Sequence, residues 1–400
     1  VDPGSTDPGV DEELSLGPTL GKVGPYKILK LLGQGGMAAV YQARDERDGS
    51  ECAVKILARM RPTWVQRFAR EFESARRVNH PNVVRVLEAG DEEGLAYFSM
   101  EQIEGVTAAR HVLQLDGDDP LPPAQPDKVG RAPVPIDPDI LQRTLSVAVQ
   151  LASAVGAIHG VGLVHRDLKP GNVLVTSNGV VKLVDFGVAK WLQEQSSFTQ
   201  EGHVVGSYSY MSPEQITGGQ VDHRADQYGM GILLYELLSG SPPFRARRPQ
   251  EYLWLHCTEQ PQPLSRRLDG VPTALDRLLL RMLAKEPADR PPSMAVVERD
   301  LRAIQETVAL AISGQYQQMV LEPSLMGGGE EEETTQRRTA DELGRLHRSF
   351  QKNSKGKSLQ PEQIAPPAAE EEESTTRPIR YEGAEDNTEK LLVEVNRPIR

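Results

Sequence analysis

His165-Arg166-Asp167-Leu168-Lys169-Pro170-Gly171-Asn172 runs into Val173-Leu174-Val175, and a second run, Val181-Lys182-Leu183-Val184-Asp185-Phe186-Gly187, follows. Far upstream, Lys55 stands in Cys52-Ala53-Val54-Lys55-Ile56-Leu57, which reads as an apolar strand. An unpaired ammonium there is costly, so Lys55 needs anionic partners. Glu71, on the helix expected over residues 64–78, is one. Nucleotide phosphates are the other. Before this strand, Gly33-Gln34-Gly35-Gly36 forms a turn between two further expected strands, residues 26–32 and 39–44. Backbone N–H groups in such a turn close over phosphate oxygens with no side chain in the way.

In this order and density the motifs closely resemble the catalytic core of protein kinases, in particular the eukaryotic-like bacterial Ser/Thr kinases. The resemblance runs over about residues 24–301. It implies an α+β, bilobal fold, with a small N-lobe of antiparallel sheet plus one helix and a larger, mostly helical C-lobe. It also implies ATP as phosphoryl donor and Mg²⁺ as metal, with Mn²⁺ as the alternative ion.

Phosphoryl transfer passes through a loose transition state, so catalysis is mainly placement and neutralisation of charge. By the resemblance, Asp167 orients the incoming hydroxyl and accepts its proton, and Lys169 stabilises the moving phosphoryl group. Asn172 and Asp185 are the metal ligands, hard oxygen donors of the kind Mg²⁺ takes. Lys55 holds the α- and β-phosphates and is itself held by Glu71. Glu73, two residues on, points elsewhere on a helix. The nucleotide site is expected to comprise Gly33, Gln34, Gly35 and Gly36 over the phosphates, and Val40 and Ala53 over the base. Leu174 lies beneath the base, Met100 is the gatekeeper, and the backbone at Glu101 and Ile103 forms the hinge. Ala38 stands where the family has its third glycine.

Met211-Ser212-Pro213-Glu214 resembles the end of an activation segment, with Glu214 expected to pair with Arg290 and Asp226 to cap the catalytic loop. By the same resemblance, Lys169, the Gly171 spacing and Gly206-Ser207, which stands where the family usually has Gly-Thr, imply serine and threonine as acceptors. Arg166, which commonly meets an activation-loop phosphate in this family, directs attention to Ser196, Ser197 and above all Thr199 as autophosphorylation sites.

Composition agrees with an enzyme domain flanked by tails. Across 400 residues the net charge is −12, which argues against a chain built to bind nucleic acid. Cys52 and Cys257 stand far apart without metal-ligand spacing, which fits a reducing, cytoplasmic setting. No run of about 18 apolar residues occurs, so no membrane segment is expected in this chain. Residues 1–24 read as a disordered acidic leader, 25–313 as the kinase domain with a Pro/Asp-rich insertion at 116–138, and 314–400 as a flexible acidic tail. Strands are also expected at 83–87 and 95–100, and helices at 141–159, 222–239, 251–259, 273–284 and 293–313.

The tail repeats itself. Glu330 to Glu333 precede Thr334-Thr335, and Glu370 to Glu373 precede Ser374-Thr375-Thr376. The plain reading is a solvated linker; the sharper one is paired sites for a phosphothreonine-reading domain. Between them Thr339-Ala340-Asp341-Glu342 has the form of a capping box, followed by Leu343, Leu346 and Phe350 on about one face. A short helix over 340–350, docked or transient, is the expectation. Partners otherwise expected are protein substrates and, as relatives often pair for trans-autophosphorylation, a homodimer. A nucleotide-binding pseudokinase scaffold is the alternative function, and a small-molecule kinase on the same fold a third.

Overall fold

The computed structural model describes residues 21–34, 38–57, 72–92, 94–115, 119–122, 132–185, 205–246, 248–313 and 345–346. Its first part is a six-stranded sheet built from β1 (Lys22–Val23), β2 (Tyr26–Gln34), β3 (Ala38–Asp45), β4 (Glu51–Leu57), β5 (Val86–Glu92) and β6 (Leu95–Met100). The strand order is β1-β2-β3-β4-β6-β5, and every pairing is antiparallel. Successive side chains of a strand point to opposite faces, and this sorts β4 cleanly. Cys52, Val54 and Ile56 join Tyr26, Ala39, Tyr41 and Tyr97 in a small outer cluster. Ala53 and Leu57, with Lys55 between them, face the other way, toward the main core that also takes Phe98 and Met100. Parity alone therefore puts Lys55 on the inner face.

Two departures from the sequence expectations fall in this region. Lys22 and Val23 lie inside the stretch expected to be a disordered leader, yet they pair with Lys27 and Tyr26 as a sixth strand. Gly24 makes the turn between them at φ 55°, and a Cβ there would strike Tyr97. The strand expected at 83–87 begins only at Val86. Val83 and Val84 instead reach the second lobe, where Val83 bridges Leu183 and the Val84 N–H donates to the Leu183 carbonyl at 2.9 Å. Both valines are buried, so an apolar pair that reads as sheet is spent on the lobe interface. Of the helix expected over 64–78, residues 72–78 are described, and 72–76 are helical.

The second part is mostly helical: α1 (Ala108–Leu113), α2 (Pro138–Gly160), α3 (Pro213–Ile216), α4 (Arg224–Ser239), α5 (Pro249–Thr258), α6 (Thr273–Met282) and α7 (Met294–Ser313). α2 starts with Asp137 as N-cap, its side chain accepting from the Asp139 N–H, and with Pro138 in the first turn, where a missing N–H costs nothing. It buries Leu141, Leu145, Leu151 and Ile158 completely or nearly so, each worth about 1.5–3 kcal/mol. α4 is buried around almost its whole circumference, as befits a helix through the middle of a lobe, and Gly240 ends it at φ 72°. A three-stranded sheet joins β7 (Gly105–Thr107), β9 (Val173–Thr176) and β10 (Val181–Leu183) in the order β10-β9-β7. It carries the two motif runs.

The expected insertion 116–138 is partly built into the lobe. β8 (Val134–Pro135) pairs in parallel with β11 (Leu268–Asp269), Ile136 is buried, and Pro138 already opens α2. Among the described residues no helix is long and apolar enough to cross a membrane.

Candidate active site

Three local devices fix the loop before β9. Arg166 takes a left-handed conformation, φ 65°, which a non-glycine residue adopts at a cost and keeps only where its surroundings hold it. Asp226, at the start of α4, supplies the hold. Its Oδ2 accepts from the His165 N–H at 2.8 Å and its Oδ1 from the Arg166 N–H at 2.7 Å. The third device is Gln215, whose Nε2 donates to the Arg166 carbonyl at 3.1 Å.

Asp226 also meets His159 Nε2 at 2.7 Å. Burial pushes the Asp226 carboxyl up, but the hydrogen bond and charge of His159, with His165 behind it, hold it net below the ordinary carboxylate range. His165 is fully buried, and burial drives its pKa down. Its Nδ1 accepts from the Asp167 N–H at 3.3 Å, so the ring proton sits on Nε2, 3.4 Å from the Val184 carbonyl.

Asp167 is 8% exposed, and its Oδ2 accepts from Lys169 Nζ at 2.7 Å and from Asn172 Nδ2 at 3.1 Å. Asn172 is 5% exposed at the end of a single 3-10 turn, Pro170–Asn172, and its Nδ2 also donates to the Asp167 carbonyl at 2.8 Å. The Asn172 carbonyl accepts from the Val184 N–H at 2.9 Å, which brings the second motif run against the first. Asp185 follows at φ 64°. Its Oδ1 forms an ion pair with Lys55 Nζ, which is 5% exposed and 130 residues away in sequence. The lobe contacts at Val83, Val84 and Leu183 set that meeting. Lys55 and Asp185 are thus joined, through the Val184–Asn172 backbone bond, to the loop that carries Asp167 and Lys169.

Around Lys55 the inner face of the sheet places Val40 opposite Lys55 and Ala53 opposite Met100. Leu174, on β9, pairs with Thr107 at the start of the second lobe. Glu101 is anchored where the lobes join: its N–H donates to the Arg85 carbonyl at 2.9 Å, and its side chain accepts from Lys182 Nζ at 2.7 Å. Ile103 packs against the main core. Gly33 and Gln34 close β2 and are exposed. A Cβ at Gly33 would meet no atom of the described residues within 4 Å and its φ is ordinary. Glu71, Gly35, Gly36, Phe186, Gly187, Ser196, Ser197 and Thr199 lie outside the described residues, as do Thr334, Thr335, Thr375 and Thr376.

Among the described residues no group of three or more His, Cys, Asp and Glu could hold a metal ion. Asp185, which follows the Val184 bonded to Asn172, and Asn172 supply oxygen donors of the kind that suit Mg²⁺, commonly bound by one or two protein oxygens together with substrate phosphates. Below the catalytic loop, Arg290 grips Glu214 through both guanidinium nitrogens, at 2.6 and 2.8 Å. Ser212 caps α3 with Gln215 in a capping box, so the glutamine that completes this cap also holds the Arg166 carbonyl. Sequence reasoning did not find His159, Gln215 or the Tyr210–Glu236 hydrogen bond; no spacing signal marks them, since each partner is remote in the chain.

Residues 26–301 match the family described as protein kinase domain. Serine/threonine-protein kinase PknB of Mycobacterium leprae is 35% identical over 283 residues, which is 69% of this chain and 42% of PknB. Serine/threonine-protein kinase PknD of Mycobacterium tuberculosis is 36% identical over 271 residues, 67% of this chain and 38% of PknD. The chain spans about two fifths of the length of these curated relatives. Among solved structures, the PknI kinase domain of Mycobacterium tuberculosis superposes with a TM-score of 0.52 at 27% identity, covering 71% of this chain and 98% of PknI's domain.

Proposed function

The chain belongs to the protein kinase family, and from that premise we propose that it transfers the γ-phosphoryl group of ATP to serine and threonine hydroxyls of proteins. What supports this reading is the Lys55–Asp185 ion pair, joined through the Val184–Asn172 backbone hydrogen bond to the Asp167, Lys169 and Asn172 side chains. Asp167 orients the acceptor hydroxyl and takes its proton. Lys169, already 2.7 Å from that carboxylate, neutralises charge on the moving phosphoryl group. Lys55 binds the α- and β-phosphates, and the backbone at Gly33 lets the strand lie close over them. Asp185 and Asn172 hold the Mg²⁺, which when bound neutralises phosphate charge. Val40, Ala53, Met100 and Leu174 enclose the adenine, with hydrogen bonds from the Glu101 and Ile103 backbone.

A pseudokinase scaffold would be expected to lack one of these groups, and none is missing from the sequence. Activation by autophosphorylation fits the same site. Arg166, pinned through its backbone to Asp226 and Gln215, is the natural partner for a phosphate on Thr199, Ser197 or Ser196. The Thr334-Thr335 and Thr375-Thr376 pairs, once phosphorylated, are sites for a phosphothreonine-reading domain, and trans-autophosphorylation calls for a homodimer.

The decisive experiment compares the parent with Asp167→Asn in a radiolabelled ATP assay on a generic protein substrate, alongside nucleotide binding. Transfer should fall by about 10²- to 10⁴-fold with binding retained. Equal incorporation by the two proteins defeats the reading.

A further inference from the structure

The peptide unit between Arg166 and Asp167 is held at both ends. Its carbonyl accepts from Gln215 Nε2 at 3.1 Å, and its N–H donates to His165 Nδ1 at 3.3 Å. A peptide is planar, so the two bonds fix the plane from which the Asp167 side chain departs. Gln215 is 6% exposed, and its other end is committed as well. Its Oε1 accepts from the Ser212 N–H and from the Ser212 hydroxyl, both at 3.1 Å. The amide has one workable orientation, because a carbonyl only accepts and a backbone N–H only donates. We propose that Gln215 is a positioning residue for Asp167, which makes the aim of that carboxylate depend on the seating of α3. The proposal rests on the reading of Asp167 as the group that orients the acceptor hydroxyl and takes its proton.

The position demands an acceptor for Ser212 and a donor for Arg166 at once, which the glutamine amide supplies. Glu214, the residue before it, is gripped by Arg290, so the start of α3 is fixed where Gln215 reaches the catalytic loop. Arg166 sits at φ 65°, a conformation kept only where neighbours hold it. Methionine at position 215 would withdraw the donor. A carboxylate would still accept from Ser212 but would set a second acceptor against the Arg166 carbonyl. Either change loosens the peptide that aims Asp167 and leaves Lys55 and the sheet untouched, so the loss belongs to turnover and not to nucleotide binding.

Gln215→Glu and Gln215→Met test the role, assayed as full chains beside the parent and Asp167→Asn on a generic protein substrate. Near pH 8 both should lower kcat about tenfold, roughly what one hydrogen bond contributes, with KM for ATP within about twofold of the parent. A buried carboxyl facing a carbonyl oxygen has a raised pKa, and once protonated it donates to that oxygen. The kcat of Gln215→Glu relative to the parent should therefore recover at least about threefold between about pH 8 and pH 6, while Gln215→Met stays flat. The charged and titratable neighbours are common to all these chains: Glu214 is bound by Arg290, Asp226 by His159 and two amides, and His165 is kept neutral by burial. Should Gln215→Glu not fold, the kcat-against-KM split of Gln215→Met decides. A parent-like kcat in the substituted chains, or a relative kcat of Gln215→Glu that does not rise toward low pH, overturns the role of Gln215. A parent that transfers no phosphate, or that Asp167→Asn equals, defeats instead the function on which the role rests.

Discussion

Arg290 and Glu214 meet as a bidentate ion pair with the arginine 3% and the glutamate 7% exposed. The remaining guanidinium capacity goes to the carbonyls of Ala284, Arg224 and Lys285, at 2.9, 2.9 and 3.1 Å. One side chain therefore ties α3, the start of α4 and the turn after α6 together. Removing one partner of a buried pair strands the other charge, at about 3–5 kcal/mol. Arg290→Ala should lower unfolding stability by that amount in urea titration. Arg290→Lys should recover only part, since an ammonium cannot reproduce the planar fork. A loss below about 1 kcal/mol for Arg290→Ala would contradict the anchoring role.

Asp226 holds two amides of the catalytic loop, and its effect should be read in turnover. Asp226→Asn keeps the shape but replaces charge-assisted bonds by neutral ones, so kcat should fall at least about tenfold with nucleotide affinity little changed. Its folded pKa lies below its unfolded value. As pH falls through the acid range, the unfolded chain therefore takes up the proton first, and stability contributed above about pH 4 is lost below it. The substitution should make the acid limb of the stability curve shallower.

His256 predicts a second pH effect in a different window. It is buried on α5 beside Phe244 and Tyr228, with its Nδ1 3.0 Å from the Tyr228 hydroxyl. Burial, helped by the charge of Lys285, pushes its pKa down to about 3 from 6.5. Between those values the unfolded chain binds a proton that the folded chain refuses, so stability falls as pH drops from 6.5. The loss to pH 4 should be roughly 3 kcal/mol, and His256→Phe should remove most of that slope in denaturation curves taken at each pH.

The role proposed for Arg166 is checked by mass spectrometry of active protein. Phosphate is expected between residues 187 and 212, with Thr199 foremost. Arg166→Gln should cut kcat of the phosphorylated enzyme severalfold and leave the phosphatase-treated enzyme nearly unchanged. Absence of phosphate in that stretch rejects the mechanism.

For the tail, alanine at Thr334, Thr335, Thr375 and Thr376 together should abolish capture of an isolated phosphothreonine-reading domain while phosphoryl transfer to a generic substrate persists. Undiminished capture disposes of the reader-site proposal.

How much of this was legible in advance depends on how local each relationship is. The side chains of Asp167, Lys169 and Asn172 meet within five residues, so their spacing displayed their association. Lys55 was legible because a lysine among buried apolar neighbours requires an anion. The exchange of Val83 and Val84 from sheet to lobe contact was not, since an apolar pair suits either. Nor was β1, because two residues carry no periodicity. The pairing of Val134–Pro135 with Leu268–Asp269 was equally hidden, because proline-rich sequence reads as spacer until a partner strand appears beside it.

The chain's own sequence determined which chemical groups are present, the strand parity that turns Lys55 inward, and the helices whose apolar stripes build the second lobe. Only the tertiary structure decided that Asp185 meets Lys55, that Asp226 and Gln215 hold Arg166 in a left-handed conformation, and that Leu346 is buried. Patterns of period two or 3.6 constrain one element at a time. Contacts between groups remote in the chain, from 49 residues apart for Gln215 and Arg166 to 130 for Lys55 and Asp185, depend on how whole elements pack, and no single stretch of sequence encodes that.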